Sequence, residues 1–447
     1  MIQGNNWVVH VGNNLDILPT LPDNSVDSIV TDPPYELGFL GKKWDNSGIA
    51  YNVELWKECL RVLKPGGHLL SFGGTRTWHR VAVAIEDAGF EVRDSIAWMY
   101  GSGFPKSLDV SKAIEGKITT GSSNKKDFKK LQGEQLERGD WGIAKQQFVH
   151  GQRDTNYDET AGETRLGKLD ATTPEAKQWE GWGTALKPAF EPIVVARKPL
   201  IGTVAENVLT YGTGALNIDG SRIGTGTGEK KIVSYPDIRG DNYQQGKESY
   251  ADRETVEREV TDKGRWPANV ILDEYSAELL DEQSGVSKST PNQGGQNKTK
   301  RTAMGGGEMY SAPSNHNDSG GASRFFYVAK ASKRDRNEGL EELEPQRHSD
   351  REKDDGVGGD NPRNRTNQAR QNFHPTVKPT ELMKYLIKLV TPPNGTVLDP
   401  FTGSGSTGKA AILEGFRFIG IEMTEDYIPI IEGRLRHAEL KSEEGLF

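Results

Sequence analysis

The sequence contains a single cysteine, Cys59, in 447 residues. That excludes an internal disulfide framework and a cysteine-cluster zinc site. It suits a reducing cytoplasm. The eight histidines show no tight ligand spacing, so no metal centre is expected. Apolar residues are also scarce, at 34%. No apolar run approaches membrane-spanning length, and no charged-then-apolar leader opens the chain, so no membrane partner is expected. Excess positive charge is absent too: 56 Lys and Arg face 64 Asp and Glu, for a formal net charge of -8. A nucleic-acid partner would therefore need a locally basic face on an acidic body. The length fits a core domain with large insertions, or two to three domains.

The apolar residues that exist are concentrated in a few stretches. From the N-terminus, "NWVVHVG", "VDSIVTD", "HLLSFGG" and "EVRDSIAWMY" read as strands. Between them, "NVELWKECLRVLKPGG" and "TWHRVAVAIEDAG" have helical apolar spacing. Such alternation implies a mostly parallel sheet covered on both faces. Residues 115–180, 224–262 and 285–322 are polar or rich in Gly, Asn and Ser, and read as loops or insertions. Ordered-looking islands interrupt them, among them "EPIVVARKPL", "TVAENVLTYG", "WPANVILDEYSAELLDE" and "RFFYVAKAS". "ALNIDGSRI" reads as loops around one short strand. From residue 373 the α/β alternation returns with "PTELMKYLIKLVTPP", "GTVLDPF", "GKAAILEG", "FRFIGIEM" and "EDYIPIIEGRLRHAEL". The simplest reading is one sheet built by both chain ends.

The stretch "DPFTGSGSTGKAA", Asp399 to Ala411, nearly fits the phosphate-binding pattern G-x-x-x-x-G-K-[ST]. It fails where Ala410 replaces the magnesium-binding hydroxyl. Asp399 would also place a negative charge beside any phosphate. A strand, a glycine-rich turn and a helix, followed by Glu422 at the end of the next strand, suit a nucleoside-type ligand held through ribose. A plain glycine-rich turn is the structural alternative. Lys409 then reads as an ordinary helix residue.

The second motif is Asp32-Pro33-Pro34-Tyr35, directly after an apolar strand. The prolines make a rigid turn. As structure alone, Tyr35 would be a rim aromatic. As chemistry, an acid, a backbone carbonyl aimed by that turn and an aromatic face form a socket for a planar ring bearing an amine. Two acceptors on one amine pull its nitrogen out of conjugation and expose the lone pair.

Together these segments resemble the amino-methylating DNA methyltransferases. "TDPPY" is similar to that family's catalytic motif, "DPFTGSGSTG" to its S-adenosylmethionine loop, "FIGIE" to the following motif, and "HPTVKPTELMKYLIKLVTPP" to the helix preceding the loop. Their order matches the circularly permuted β group of adenine-N6 and cytosine-N4 enzymes, found in bacteria and phages. The resemblance covers about residues 1–112 and 373–436. It implies an α/β fold: a Rossmann-like methyltransferase sheet formed by both chain ends, with a large inserted target-recognition region. The implied organisation is a core part at 1–112, a polar insertion at 113–187, a core strand at 188–200, a recognition region at 201–372 and the rest of the core at 373–447.

Residue by residue, the resemblance implies that Asp32, Pro33, Pro34 and Tyr35 hold the target base. Asp399, Pro400, Phe401, Gly403, Gly405 and Glu422 line S-adenosyl-L-methionine, with Asp399 near its amino acid end and Glu422 on its ribose. Thr376 and Lys378 lie near its methionine moiety. Family members often carry Gly-Asp after the third strand, whereas this chain has Gly12-Asn13-Asn14. The Asn13 carbonyl can still accept from the adenine amine. The expected reaction is methylation of N6 of adenine in DNA, the base leaving the duplex first. Asp at the first motif position favours adenine. Cytosine N4 is the nearest alternative, and a catalytically silent DNA-binding subunit is the alternative of another class. Arg363, Arg365 and Arg370, in a stretch with no acids, are candidates for phosphate or base contacts. Lys42 and Lys43 are candidates for backbone contacts beside the flipped base. Lys330 to Asn337, "KASKRDRN", adds a second basic cluster. Members of the group are often dimers and act in the cytoplasm of a bacterium or a phage-infected cell. Neither a restriction partner nor the recognised sequence is readable from these residues.

Overall fold

The computed structural model describes residues 1–37, 43–103, 107–121, 171–224, 230–236, 255–261, 264–288, 318–330, 334–346 and 370–444. Among these, two compact units separate: residues 1–102 with 189–447, and residues 103–188.

The larger unit is organised on one ten-stranded sheet. The N-terminal stretch supplies β1 (Ile2–Gln3), β2 (Trp7–Val11), β3 (Val26–Thr31), β4 (Leu63–Phe72) and β5 (Glu91–Met99). β6 (Phe190–Arg197) follows. Two short antiparallel pairs lie outside this sheet: β7 (Lys230–Pro236) with β8 (Thr255–Thr261), and β10 (Ser287–Lys288) with β11 (Ser319–Gly320). β9 (Val270–Asp273) and β12 (Tyr327–Ala329) join the main sheet at one edge, parallel to β5 and to each other. β13 (Thr396–Asp399) and β14 (Arg417–Glu422) come from the C-terminal stretch.

The order across the sheet is β1-β2-β14-β13-β3-β4-β6-β5-β9-β12. β14 and β13 are thus inserted between β2 and β3, all four running parallel. β6 runs antiparallel to both of its neighbours, β4 and β5. The chain ends do build one sheet, and "NWVVHVG" pairs with "RFIGIE" as expected from the permuted order.

Why these segments are strands follows from their composition. All six residues of β3 and all four of β13 are buried, as befits central parallel strands covered on both faces. Side chains alternate between two cores. Val30, Leu70 and Val397 pack with the helices Thr380–Val390, Ser406–Leu413 and Ile428–Glu444. Their chain neighbours Ile29, Leu69 and Leu398 pack with the helices Val53–Val62 and Trp78–Asp87 on the other face. The helix Val53–Val62 is started by the Asn52 side chain, which accepts from the Glu54 N–H, and it buries Leu55, Trp56, Cys59 and Val62. It ends three residues before Pro65 and passes directly into β4, earlier than the Pro-Gly-Gly stop implied.

The helix Thr380–Val390 has no cap from its own sequence. The Asp335 carboxylate caps it from elsewhere, accepting from Thr380 N–H at 2.8 Å and from the Thr380 hydroxyl at 2.6 Å. "ALNIDGSRI" contains no strand. It forms a short 3-10 turn, Asp219–Ser221, and a single bridge between Ile223 and Arg265, because Gly220 and Asn217 close a turn through the Asn217 side chain.

In the smaller unit the helix Val110–Thr120 presents Glu115, which is 3% exposed. Its carboxylate accepts from the backbone N–H and hydroxyl of both Thr172 and Thr173, so a carboxylate on one helix fixes the start of the next, Pro174–Lys177. Among the described residues, no helix is long and apolar enough to cross a membrane.

Candidate functional site

Parallel strands deliver their C-terminal ends to one edge of the sheet, which is where open α/β sheets bind ligands. At that edge β3 runs into Asp32, β13 ends in Asp399 and β14 in Glu422, and β2 runs into Gly12-Asn13-Asn14. The two sequence motifs meet there directly: the Thr31 hydroxyl donates to Asp399 Oδ1 at 2.6 Å, across 368 residues of chain.

Around Asp32 the structure places three polar groups, Lys378, Tyr35 and Glu191. Lys378 Nζ donates to Asp32 Oδ2 at 2.7 Å and to the Tyr35 hydroxyl at 3.2 Å, and lies 3.3 Å from Glu191 Oε2. The Tyr35 hydroxyl in turn donates to Glu191 Oε2 at 2.8 Å. The ammonium sits 4.8 Å from the Phe72 ring centre and 5.3 Å from that of Tyr35, so both rings help to hold it. Asp32 Oδ1 is buried and has no hydrogen-bond partner. Burial pushes the Asp32 carboxyl up from the ordinary carboxylate range, with Glu191 adding and Lys378 opposing. Burial works against the Lys378 ammonium, but Asp32 and Glu191 outweigh it and raise its pKa. Pro33 is buried, and the Thr77 hydroxyl holds the turn by donating to the Tyr35 carbonyl at 2.8 Å. The backbone beyond is fixed by Asp45, whose carboxylate takes the N–H groups of Glu36 and Leu37.

The glycine loop is built on Asp399, 1% exposed. Its Oδ1 accepts from Thr31 and from the Phe401 N–H at 3.0 Å, and its Oδ2 from the Thr407 hydroxyl at 2.6 Å. Burial raises its pKa to about 6, against the pull of those hydrogen bonds. Glu422 accepts from the N–H of Gly403 at 2.7 Å and of Thr424 at 2.8 Å, and burial raises its pKa. Gly403 and Gly405 both have left-handed backbone, φ 55° and 75°. A Cβ on Gly403 would lie 3.1 Å from His374 Nε2. That imidazole is buried, and burial lowers its pKa to about 3, so it is neutral. Pro400 is buried and its carbonyl accepts from the Asn14 side chain at 3.2 Å, while Phe401 is half-buried. Behind the loop, the fully buried Arg434 donates to the Ser404 carbonyl and to the hydroxyls of Ser404 and Ser406.

Several expectations change in the light of this geometry. Lys378 lies in the Asp32 pocket, as the ion-pair partner of that acid. Asp399 turns its carboxylate inward, onto its own loop and β3. The exposed Asn13 uses its side-chain carbonyl to cap the turn that follows, accepting from the Leu15 N–H at 3.0 Å. Thr376 is exposed, and its carbonyl lies 2.8 Å from His374 Nδ1.

Lys409 is not an ordinary helix residue. It is 1% exposed and donates to Asp335 Oδ1 at 2.7 Å and Glu338 Oε2 at 2.9 Å. Two carboxylates already occupy its charge, which is the physical reason it cannot serve a phosphate. Of the basic cluster 330–337, residues 331–333 lie outside the described residues, and Arg336 is turned inward. Arg336 donates to the carbonyls of Asn372 and His374, and burial lowers its pKa to about 10.

The backbone of Arg370 pairs with Gln346. Lys43 starts a short 3-10 turn. Arg363, Arg365 and Lys42 lie outside the described residues. Phe190 is 41% exposed, while Trp98 packs edge-on against Phe72 at 6.4 Å. Glu191 was not anticipated. Its signal was an acid at the head of an otherwise apolar strand, "FEPIVVAR". Among the described residues, no group of three His, Cys, Asp or Glu could hold a metal ion.

The chain belongs to the DNA methylase family: the family's N6/N4 model matches residues 26–433. It is 47% identical over 73 residues to DNA adenine methyltransferase YhdJ of Escherichia coli (strain K12), covering 16% of this chain and 25% of that protein. It is 46% identical over 164 residues to the type II methyltransferase M.HinfI of Haemophilus influenzae, covering 30% of this chain and 45% of that protein. The chain thus spans a quarter to just under half of the lengths of these curated relatives. Among solved structures it is similar to the cytosine-N4-specific PvuII DNA methyltransferase, with 13% identity over 99% of this chain and 94% of that one, TM-score 0.41. It is also similar to the M1.HpyAVI–SAM complex, with 14% identity over 96% of this chain and 99% of that one, TM-score 0.35.

Proposed function

We propose that this protein methylates the N6 amine of adenine in DNA, with S-adenosyl-L-methionine as the methyl donor. The observation that carries the reading is the Asp32 carboxylate. Its Oδ2 is anchored by Lys378, and its Oδ1 is buried without a partner. A buried acceptor left open is costly unless a substrate donor fills it. An amine N–H is the donor that suits an acid beside an aromatic ring, Tyr35. The base reaches this pocket by leaving the duplex.

The glycine loop fits the methyl donor. Gly403 and Gly405 hold the left-handed backbone of the turn, where a Cβ would meet His374 and Ile431 respectively, and Glu422 and Asn13 stand at adjacent strand ends. Gly403, Gly405, Phe401 and Glu422 would hold it, with Pro400 and Asp399 shaping the turn beneath. When bound, S-adenosyl-L-methionine supplies an electrophilic methyl on a sulfonium. This chain's residues orient the amine, stabilise the positive charge that grows on its nitrogen, and exclude water. Asp32 does so directly, and the Pro33 carbonyl is the second acceptor. Arg370 and Lys43 are the candidates for DNA backbone contacts.

The test is a filter assay with tritiated S-adenosyl-L-methionine and plasmid DNA from a methylation-free host. DNA becomes labelled by the wild type and not by Asp32→Ala. No label with the wild type would leave a silent DNA-binding protein. Single-molecule sequencing of the product reads the modified base: modification at cytosine alone would move the assignment to N4.

A further inference from the structure

Of the residues beside Asp32, Glu191 has no task in the reading above and Lys378 only that of anchoring Oδ2. Glu191, from β6, and Lys378, from the segment before the helix Thr380–Val390, approach the same spot from distant parts of the chain. The side chains are largely buried: Lys378 9%, Asp32 19% and Glu191 20% exposed. One ammonium lies between two carboxylates, 2.7 Å from Asp32 and 3.3 Å from Glu191. Tyr35 closes the ring by donating to Glu191 and accepting from Lys378.

Where Lys409 lies between two carboxylates, Arg434 and Lys441 add further cations, whereas Lys378 is the one cation paired with Asp32 and Glu191 among the described residues, so here the second buried acid adds desolvation cost without a base of its own. The extra carboxylate therefore calls for a reason. With Lys378 charged, the cluster holds one net negative charge, and the one oxygen of Asp32 that points away from Lys378 is unpartnered.

We propose that Glu191 and Lys378 are positioning residues for Asp32. The carboxylate–ammonium–carboxylate bridge fixes the Asp32 side chain; within it Lys378 keeps Asp32 ionised while its Oδ1 meets the target amine, and Glu191 readies it to take the proton that the amine sheds. This rests on the methyltransfer reading. In the proton step the N–H bond breaks and its electron pair stays on nitrogen. An O–H bond forms at Asp32 Oδ1, and the cluster becomes neutral. The proton later passes from Oδ1 to water, which restores the negative charge.

The other titratable groups facing the cluster are Tyr100 after β5, Asp399 at the end of β13 and His374. Tyr100 is raised by burial and stays neutral, and His374, lowered to about 3, is uncharged. Asp399 is raised to about 6 by burial, and neither substitution touches its hydrogen bonds from Thr31, Phe401 and Thr407, so differences between variants report on Asp32. Glu191 raises the Asp32 pKa and Lys378 lowers it. Removing them should therefore move the acid limb of activity in opposite directions.

The experiment measures kcat, KM for DNA and the pH profile, using the full chain, tritiated S-adenosyl-L-methionine and unmethylated plasmid DNA. Glu191→Gln and Lys378→Met should each lower kcat, by about 100-fold or more, with little change in KM. The acid limb should move to lower pH in Glu191→Gln and to higher pH in Lys378→Met. Lys378→Arg keeps the charge and should retain the wild-type limb, which covers the case of a Lys378→Met chain that does not fold. Wild-type kcat in Glu191→Gln, or limbs displaced in the same direction, would overturn the inference while leaving the methyltransfer reading intact. A wild type that transfers no label overturns both.

Discussion

Replacing Lys409 by methionine is the sharpest test of how the cofactor loop is supported. Methionine keeps the length and apolar stem of the side chain and removes only the charge. Asp335 and Glu338 would then face each other with their shared cation gone. Asp335 keeps Arg434 at 3.8 Å and Glu338 keeps the partly exposed Lys441. Their side chains are only 16% and 14% exposed, so water replaces little of what is lost. Breaking a buried pair by removing one partner costs about 3–5 kcal/mol, and the surviving cations put the expected loss near the lower end, about 3 kcal/mol.

Urea unfolding at neutral pH, followed by tryptophan fluorescence, measures that loss. The triple variant Lys409→Met, Asp335→Asn, Glu338→Gln should regain at least half of it. The two acids are then gone, the buried Arg434 keeps the Ser404 and Ser406 oxygens to which it donates, and the amide oxygen introduced by Asp335→Asn can still accept from Thr380. The sign of the pH dependence is a further check. Hydrogen bonds and charge from Lys409 and Lys441 hold Glu338 at about 2, against the opposing effect of burial. Its contribution is present above the ordinary glutamate range and is lost as pH falls through about 2. Lys409→Met should flatten that acid limb. A loss below about 1 kcal/mol, or a triple variant no better than the single one, would refute the account of Lys409 as a buried structural cation.

Further outcomes follow from the same geometry. Asp399→Asn should remove a stability slope. The native pKa of about 6 lies above the unfolded value of about 3.9, so Asp399 makes wild-type stability fall as pH rises between these two values, and the variant should show a shallower slope there in thermal melts. Gly403→Ala places a methyl in left-handed backbone and 3.1 Å from the His374 ring. It should cost about 1 kcal/mol of stability and weaken S-adenosyl-L-methionine binding, read by calorimetry. Thr31→Val leaves Asp399 Oδ1 with one donor fewer and should destabilise by about 1–3 kcal/mol in urea unfolding.

The two motifs were legible because each is a contiguous run whose chemistry is local. Asp32 to Tyr35 and Asp399 to Gly405 carry their turn residues, strand and acid within a few positions. The split sheet was legible too, because strand and helix periods resume after the polar middle. What sequence could not supply were partners brought together by the fold. Lys378 meets Asp32 across 346 residues, and Lys409 meets Asp335 across 74. In a local window, Lys409 is one charge on an amphipathic helix. Only the packing of residues 334–344 over it shows that it is buried. Asp399 illustrates the converse: its position at a strand end was readable, but the inward turn of its carboxylate depends on hydroxyls from Thr31 and Thr407.

The placement of β13 and β14 between β2 and β3 also sets the order in which the protein becomes competent during synthesis. Asp32 leaves the ribosome early, yet its counter-ion emerges 346 residues later. At about 5–20 residues per second, that delay is roughly 20 to 70 s. Until then the N-terminal strands have a gap where two central partners belong, and the acid has no ammonium beside it. A nascent or prematurely terminated chain of this kind carries the complete Asp-Pro-Pro-Tyr motif but has neither Lys378 nor the glycine loop that Asp399 anchors.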